Sequence, residues 1–301
     1  MNQDYIIPDN WSIIEEGFEK GRVESSESLF SMGNGAMGQR ANFEESYSGA
    51  TFQGSYIGGI YYPDKTKVGW WKNGYPEYFA KVLNAPNWIG IEVIINGEQL
   101  DLNTCKEVKD FRRELNMKEG WYQRSFTATL QNDITIRVIS TRLLSMEIDE
   151  LGVIDYSVEL LSGAAEVIFK PYIDSGISNT DANWEEKFWK TTEVKTDGHQ
   201  GFITAKTHKT EFHVCTFMQS MVFIDHAEVK AEFGKETLED KVIFSYTLNG
   251  EKGETLGIRK FAGYVTDLNH SREDLLSASK NVIAKGLNHG FDGLMELQKE
   301  R

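Results

Sequence analysis

Only two cysteines occur in 301 residues, Cys105 and Cys215. Two lone cysteines are no disulfide framework. Cys215 lies in the apolar run Val214-Cys215-Thr216-Phe217, where a buried thiol behaves as a small hydrophobe. No Cys/His group has the spacing of a zinc site. The six histidines are scattered, none with a second ligand at metal-binding spacing. Basic residues are short as well: 32 Lys and Arg stand against 46 Asp and Glu, a net charge of -14. That balance argues against broad nucleic-acid binding and against docking on an anionic membrane. No apolar run approaches the ~20 residues that span a bilayer. The opening residues, Met1 to Tyr5, show no basic stretch followed by an apolar one, so no signal peptide is expected and a cytoplasmic protein is the default reading. No Gly-x-Ser-x-Gly elbow is present.

What the chain does have is aromatics and alternation. Its seven Trp, twelve Tyr and seventeen Phe, with 27 Gly, favour strands and turns. From about Trp88 to Tyr264 the hydrophobic period is two. Ile154, Tyr156, Val158 and Leu160 alternate with Asp155, Ser157 and Glu159, which reads as a strand with one face buried and one wet. Ile89, Ile91, Val93 and Ile95 form another, ending at Asn96-Gly97, a dipeptide suited to a type I′ hairpin. Leu100 and Leu102 mark the return run, and Phe126, Ala128 and Leu130 turn at Asn132-Asp133 into Ile134, Ile136 and Val138. Further turns are expected at Glu119-Gly120, Asp197-Gly198 and Asn249-Gly250. Strands at this spacing without intervening helices predict an antiparallel sandwich, an all-β fold. Past Asp267 the period becomes helical, with Ser271 as N-cap, Leu275, Leu276, Val282 and Ile283 as an apolar stripe, and Gly286 as a stop. A second helix is expected near Phe291, and the tail reads as a linker cut in mid-helix. The first ninety residues read as short strands and long ordered loops.

Three sequence features invite chemical readings. Gly33, Gly35 and Gly38 match the letters of a dinucleotide fingerprint, but no strong strand precedes them and no helix follows, so tight turns are the better reading. Adjacent acids stand at Glu15/Glu16, Glu44/Glu45 and Glu185/Glu186. Neighbours in an extended chain point to opposite faces, so adjacency is no evidence of a glycosidase pair, and solvated side chains are expected. The third feature is residues 68–88, where Trp70, Trp71, Tyr75, Tyr78, Phe79 and Trp88 interleave with Lys72, Asn73, Glu77 and Lys81. Such aromatics either seal a sheet end or an interface, or stack on the C–H faces of a sugar. The charged residues and the Gly and Pro among them resist a core strand, so the segment is expected to face a partner surface rather than the sandwich core.

These stretches carry a resemblance. Glu27 to Arg40, Asn42 to Gly49, Gln53 to Ile60, and above all Val68 to Phe79 followed by Asn84-Ala85-Pro86, are similar to the N-terminal domain of glycoside hydrolase family 65, in its maltose phosphorylase branch. Ala36 and Ala41 depart from the family, which usually carries an aromatic and a glycine there. The resemblance implies an antiparallel β-supersandwich over residues 1–268. Residues 269–301 would begin a helical linker to an (α/α)6 catalytic barrel that this chain does not contain. Family phosphorylases invert an α-glucoside with inorganic phosphate as nucleophile, so one protein acid suffices. That acid belongs to the barrel, hence no catalytic residue, no metal and no cofactor is expected here, phosphate being a co-substrate of the parent enzyme. Arg40, Trp70, Trp71, Lys72, Asn73, Tyr75 and Tyr78 become candidates for the active-site rim, the barrel contact or a dimer contact. The implied partners are the barrel, a disaccharide substrate and a second copy in a homodimer. The alternatives are a stand-alone carbohydrate-binding or interaction module, or the same domain of a family hydrolase or of a kojibiose or trehalose phosphorylase. An unfilled apolar stripe on the last helix would argue against the free module.

Overall fold

The structure, a computed structural model, describes residues 5–66, 74–179 and 187–301. Its main body is an eleven-stranded sheet facing a five-stranded one. Every pairing among the described strands is antiparallel. The large sheet contains a meander, Glu107–Asn116, Trp121–Thr129, Thr135–Leu144 and Leu151–Leu160. A second meander, Trp189–Asp197, Gln200–Thr207 and His213–Ile224, lies beyond the joining strand Thr255–Thr266. The smaller sheet holds Ile91–Ile95, Ala165–Asp174 and Lys241–Gly250 at its centre.

The expected alternation is what builds the core. Ile154, Tyr156, Val158 and Leu160 point inward and are fully buried, with Val93, Ile95, Val167, Phe169, Phe244 and Leu248 in the same cluster. The hairpin after Ile95 turns at Asn96 and Gly97, both at positive φ (48° and 80°), as a type I′ turn requires. The turns at Gly120 and Gly198 also stand, with φ of 69° and 55°. The turn expected at Asn249-Gly250 does not: both residues pair with Glu166 and Ala165 inside the strand, and the chain reverses around Gly253, φ 92°. Sequence alone could not separate a turn dipeptide from the last two residues of a strand whose partner lies far along the chain.

The described residues among the first ninety hold short strands, as expected, with one element that periodicity did not announce. Val23–Leu29 is a short helix; its serine-rich sequence carries no helical stripe. Trp88 also departs from expectation. It is fully buried in the main core, its ring lying directly on Gly152, where any Cβ would collide with it. The segment that includes it therefore does not face outward as a whole.

The expected pair of helices is present: the helical run Leu275–Lys299 is broken at Gly290 (φ 65°, ψ 179°), so its second part starts at Phe291 as expected, but the break falls at Gly290 and not at Gly286. Gly286 is a packing residue: a Cβ there would lie 2.7 Å from the Leu151 side chain. The apolar stripe is not vacant. Leu275, Val282, Ile283, Phe291 and Leu294 are buried on the outer face of the large sheet against Leu143, Val153, Phe217, Phe261 and Val265. The helix therefore offers no open stripe to separate an enzyme domain from a free module.

Candidate interaction face

The hairpin Tyr61–Lys65 with Tyr78–Val82 has its polarity reversed. Residues opposite one another share a face. Tyr61 pairs with Val82, Pro63 with Ala80 and Lys65 with Tyr78, whereas Tyr62 pairs with Lys81. The first set faces solvent: Tyr61, Tyr78 and Val82 are 44%, 48% and 61% exposed. On the covered side Lys81 Nζ meets Asp64 Oδ2 at 3.1 Å, both side chains nearly inaccessible. Phe79 and Tyr75 add further exposed aromatic surface, and the Tyr61 ring packs edge-on to Phe212 at 5.5 Å. An apolar row on the wet side over an ion pair on the dry side is the reverse of a free-standing sheet surface.

Beside the hairpin, residues 35–38 and 56–60 form the floor of a shallow apolar depression that Tyr61, Ala80 and Val82 wall. Asn34 organises that floor. Its Oδ1 accepts from the backbone N–H groups of Ala36 and Met37, and its Nδ2 donates to the carbonyls of Ser145 and Asp149. The glycine motif is thus a tight turn held by an asparagine. Ala36 and Met37 separate this depression from a smaller, more polar one bordered by Glu150, Thr266 and Asn269, where His270 Nε2 lies 2.6 Å from Glu150 Oε1.

The sequence-derived candidates divide. Tyr75 and Tyr78 are exposed on this face. Arg40 is not grouped with them: its guanidinium donates to the Glu24 carbonyl at 3.1 Å and lies over the Phe52 ring. Trp70, Trp71, Lys72 and Asn73 lie outside the described residues.

The adjacent acids overturn the expectation of solvated side chains at three positions, whereas Glu16 is solvated as expected. Glu44 and Glu45 are buried, as is Glu15; Glu185 and Glu186 lie outside the described residues. Arg124 donates to both oxygens of Glu45 at 2.6 Å and to Glu44 Oε2 at 2.8 Å. Arg142 donates to Glu44 Oε1 and to the carbonyls of Arg40 and Asn42. Arg113 stands 3.6 Å from Glu15. Burial alone would raise the Glu44 carboxyl, but Arg142 and Arg124 outweigh it and pull it down to about 2. At Glu15 burial outweighs Arg113 and the carboxyl is raised. The signal was present in the alternation: Arg124 has the same parity as Phe126, Ala128 and Leu130, and Arg142 that of Ile136 and Val138, so both had to point inward. A further inward cation, Lys260, donates to the carbonyls of Gly90 and Tyr172, and burial holds its ammonium well below the usual lysine range. Among the described residues no cluster suits a metal ion, and no helix is long and apolar enough to cross a membrane.

With fold and face in view, comparison with known proteins gives a consistent answer. A family model described as glycosyl hydrolase family 65, N-terminal domain, matches residues 13–301, and the chain belongs to that family. It is similar to the maltose phosphorylase of Bacillus subtilis (strain 168), at 38% identity over all of this chain and 39% of that protein. It is also similar to the alpha,alpha-trehalose phosphorylase of Thermoanaerobacter brockii, at 28% identity over 97% of this chain and 39% of that one. Among solved structures, one described as "Putative kojibiose phosphorylase from human microbiome" superposes with a TM-score of 0.86 at 26% identity, covering 98% of this chain and 38% of its own. The chain thus spans about two fifths of the length of these relatives.

Proposed function

We propose that this chain is the non-catalytic N-terminal domain of an inverting disaccharide phosphorylase that converts maltose and phosphate to glucose and β-glucose 1-phosphate. The observation that carries the reading is the 38% identity to a maltose phosphorylase across the whole chain. The remaining length of such a protein supplies the barrel with its single acid and its phosphate site. Residues 1–268 form the bracing sandwich and residues 269–301 the start of the linker. The reversed hairpin, with Tyr75, Tyr78 and Val82, is the surface that meets the barrel or the second subunit of a cytoplasmic homodimer. Its outward apolar row favours this over a free module, for which that row would be an aggregation hazard.

The test has two arms. The 301-residue chain, incubated with maltose and phosphate, should release no glucose 1-phosphate. In the protein that carries this chain together with its barrel, Tyr78→Ser with Val82→Ser should weaken assembly or lower kcat/KM. In the isolated chain the same pair should change stability by no more than about 0.5 kcal/mol per site. Phosphorolysis by the isolated chain, or an unaltered whole enzyme, overturns the reading.

A further inference from the structure

Three of the eight methionines, Met32, Met117 and Met146, line one groove. Leu115 and Leu144 complete its apolar lining, and its volume is ≈ 450 Å³, enough for a few inserted side chains. Met117 and Met146 are 53% and 44% exposed. Trp11, whose carbonyl accepts from the Met117 N–H at 2.8 Å, is exposed as well. Exposed apolar residues standing singly are ordinary, whereas a concave group of them marks a surface that something covers. Methionine suits such a surface, because its unbranched thioether adapts to the shape that settles on it.

Polar bonds fix the walls of the groove. Asn116 Oδ1 accepts from the backbone N–H groups of Lys118 and Glu119. Gln298, in the last turn of the helical run, accepts from the Met146 N–H at 3.0 Å and donates to the Gly120 carbonyl at 3.2 Å. One amide thus joins the two turns that carry Met117 and Met146. The end of the helix is tied to the same turns by charge: Arg301 meets Glu147 at 2.6 Å, and Lys299 stands 3.9 Å from Glu119. Arg301 itself belongs to the lining of the groove.

The relatives are far longer than this chain, and the matching family model is of an N-terminal domain. On the reading proposed above, the polypeptide of the whole protein therefore leaves Arg301 at the rim of the groove. Ten further residues reach up to about 33 Å, so whatever follows can fold back across it. A segment tethered there is presented at roughly millimolar effective concentration, which a second copy or a free partner does not match in dilute solution.

We propose that the groove is covered by the residues that follow Arg301 in the whole protein, which turn back and insert apolar side chains between Met117 and Met146. The inference rests on the reading of this chain as a domain that continues into a linker, and not on the reaction of the whole enzyme. In the whole protein with Met117 replaced by the photoreactive p-benzoylphenylalanine, irradiation should give cross-links within one chain to about the first twenty residues after Arg301, with a yield unchanged on dilution. Oxidation by hydrogen peroxide, followed residue by residue by mass spectrometry, needs no variant: Met117 and Met146 should oxidise about tenfold more slowly in the whole protein than in the 301-residue chain. Replacing the apolar residues of that following segment by serine should restore the faster rate. Cross-links that fall only in the barrel, cross-links to a second subunit that fade on dilution, or equal oxidation rates overturn the proposal. Equal rates in an enzyme that still releases glucose 1-phosphate would overturn it and leave the functional reading standing; protected methionines in an enzyme without that activity would do the reverse.

Discussion

Replacing Arg124 by Met would leave two buried carboxylates sharing one fewer cation. In the folded chain Arg124 holds Glu45 through both oxygens and Glu44 through one. Without it Glu44 keeps Arg142, while among the described residues Glu45 keeps only the Tyr156 hydroxyl at 3.4 Å. Removing one partner of a buried pair costs about 3–5 kcal/mol, because the other charge remains uncompensated. The Glu44 proton points the same way: Arg142 and Arg124 together hold its carboxyl down at about 2, below its ordinary 4.5. The sign follows from which state binds the proton. With a lowered folded value, the stabilisation from Glu44 is fully present above pH 4.5 and is lost as pH falls toward 2. In Arg124→Met the Glu44 carboxyl loses one of the two cations that lower it, so the folded variant takes up a proton more readily than the wild type. Its deficit relative to wild type should be largest at pH 7 and smaller at pH 4. Urea melts of both proteins at the two pH values measure this. A third protein, Glu45→Gln/Arg124→Met, removes the stranded carboxylate while keeping the Glu44–Arg142 pair and should recover part of the loss. A deficit at pH 7 under about 1 kcal/mol, the weight of an ordinary surface pair, would refute the reasoning. So would an equal deficit at pH 4.

Three further outcomes are expected. Trp88→Ala should cost about 3–5 kcal/mol in urea melts, as for a large ring removed from a sealed core, and a loss as small as that of a surface residue would contradict its place beside Gly152. Gly290→Ala forces a side chain onto a backbone at φ 65°, ψ 179° and should lower stability by about 1–3 kcal/mol, read from the thermal midpoint; a neutral outcome would mean the helix is not broken there. Burial pushes the Cys105 thiol up to about 11 from 9.0, so at pH 8 its thiolate fraction, and its alkylation rate by iodoacetamide, should be about one hundredth of that in the unfolded chain; equal rates would sink this.

The sandwich was readable because its strands alternate cleanly, and the register of Leu151–Leu160 between two neighbours follows from Ile154, Tyr156, Val158 and Leu160 needing one face. Local dipeptides were less reliable: Asn96-Gly97 is a turn and Asn249-Gly250 is not, although both look alike in the chain. Gly286 was misread as a stop because a glycine required for close approach to Leu151 looks the same in sequence as one required for a turn. For the candidate face, aromatic content marked Tyr75 and Tyr78 correctly as exposed but carried Trp88 along with them. What separates Trp88 is its contact with Gly152, more than sixty residues away, which no local pattern can contain. The buried acids were missed for a related reason. Adjacency carries no information on counter-charges, and those stand on strands about eighty to one hundred residues further on, at inward parity.

The joining strand Thr255–Thr266 has a consequence for the order of assembly. It pairs Leu151–Leu160 on one side and His213–Ile224 on the other, so the two meanders become one sheet only when it arrives. Each meander is local in sequence and closes short loops, whereas the seam joins segments about a hundred residues apart and its contacts reward the chain late. The helix Leu275–Lys299 then lies across the seam, touching all three strands. During synthesis the first meander leaves the ribosome with the Leu151–Leu160 edge unpaired, and it stays so for a further hundred residues. An apolar strand edge exposed for that long is the point in the life of this chain most vulnerable to misassociation, and truncations that remove residues 255–299 should accumulate as aggregates rather than as a smaller soluble sandwich.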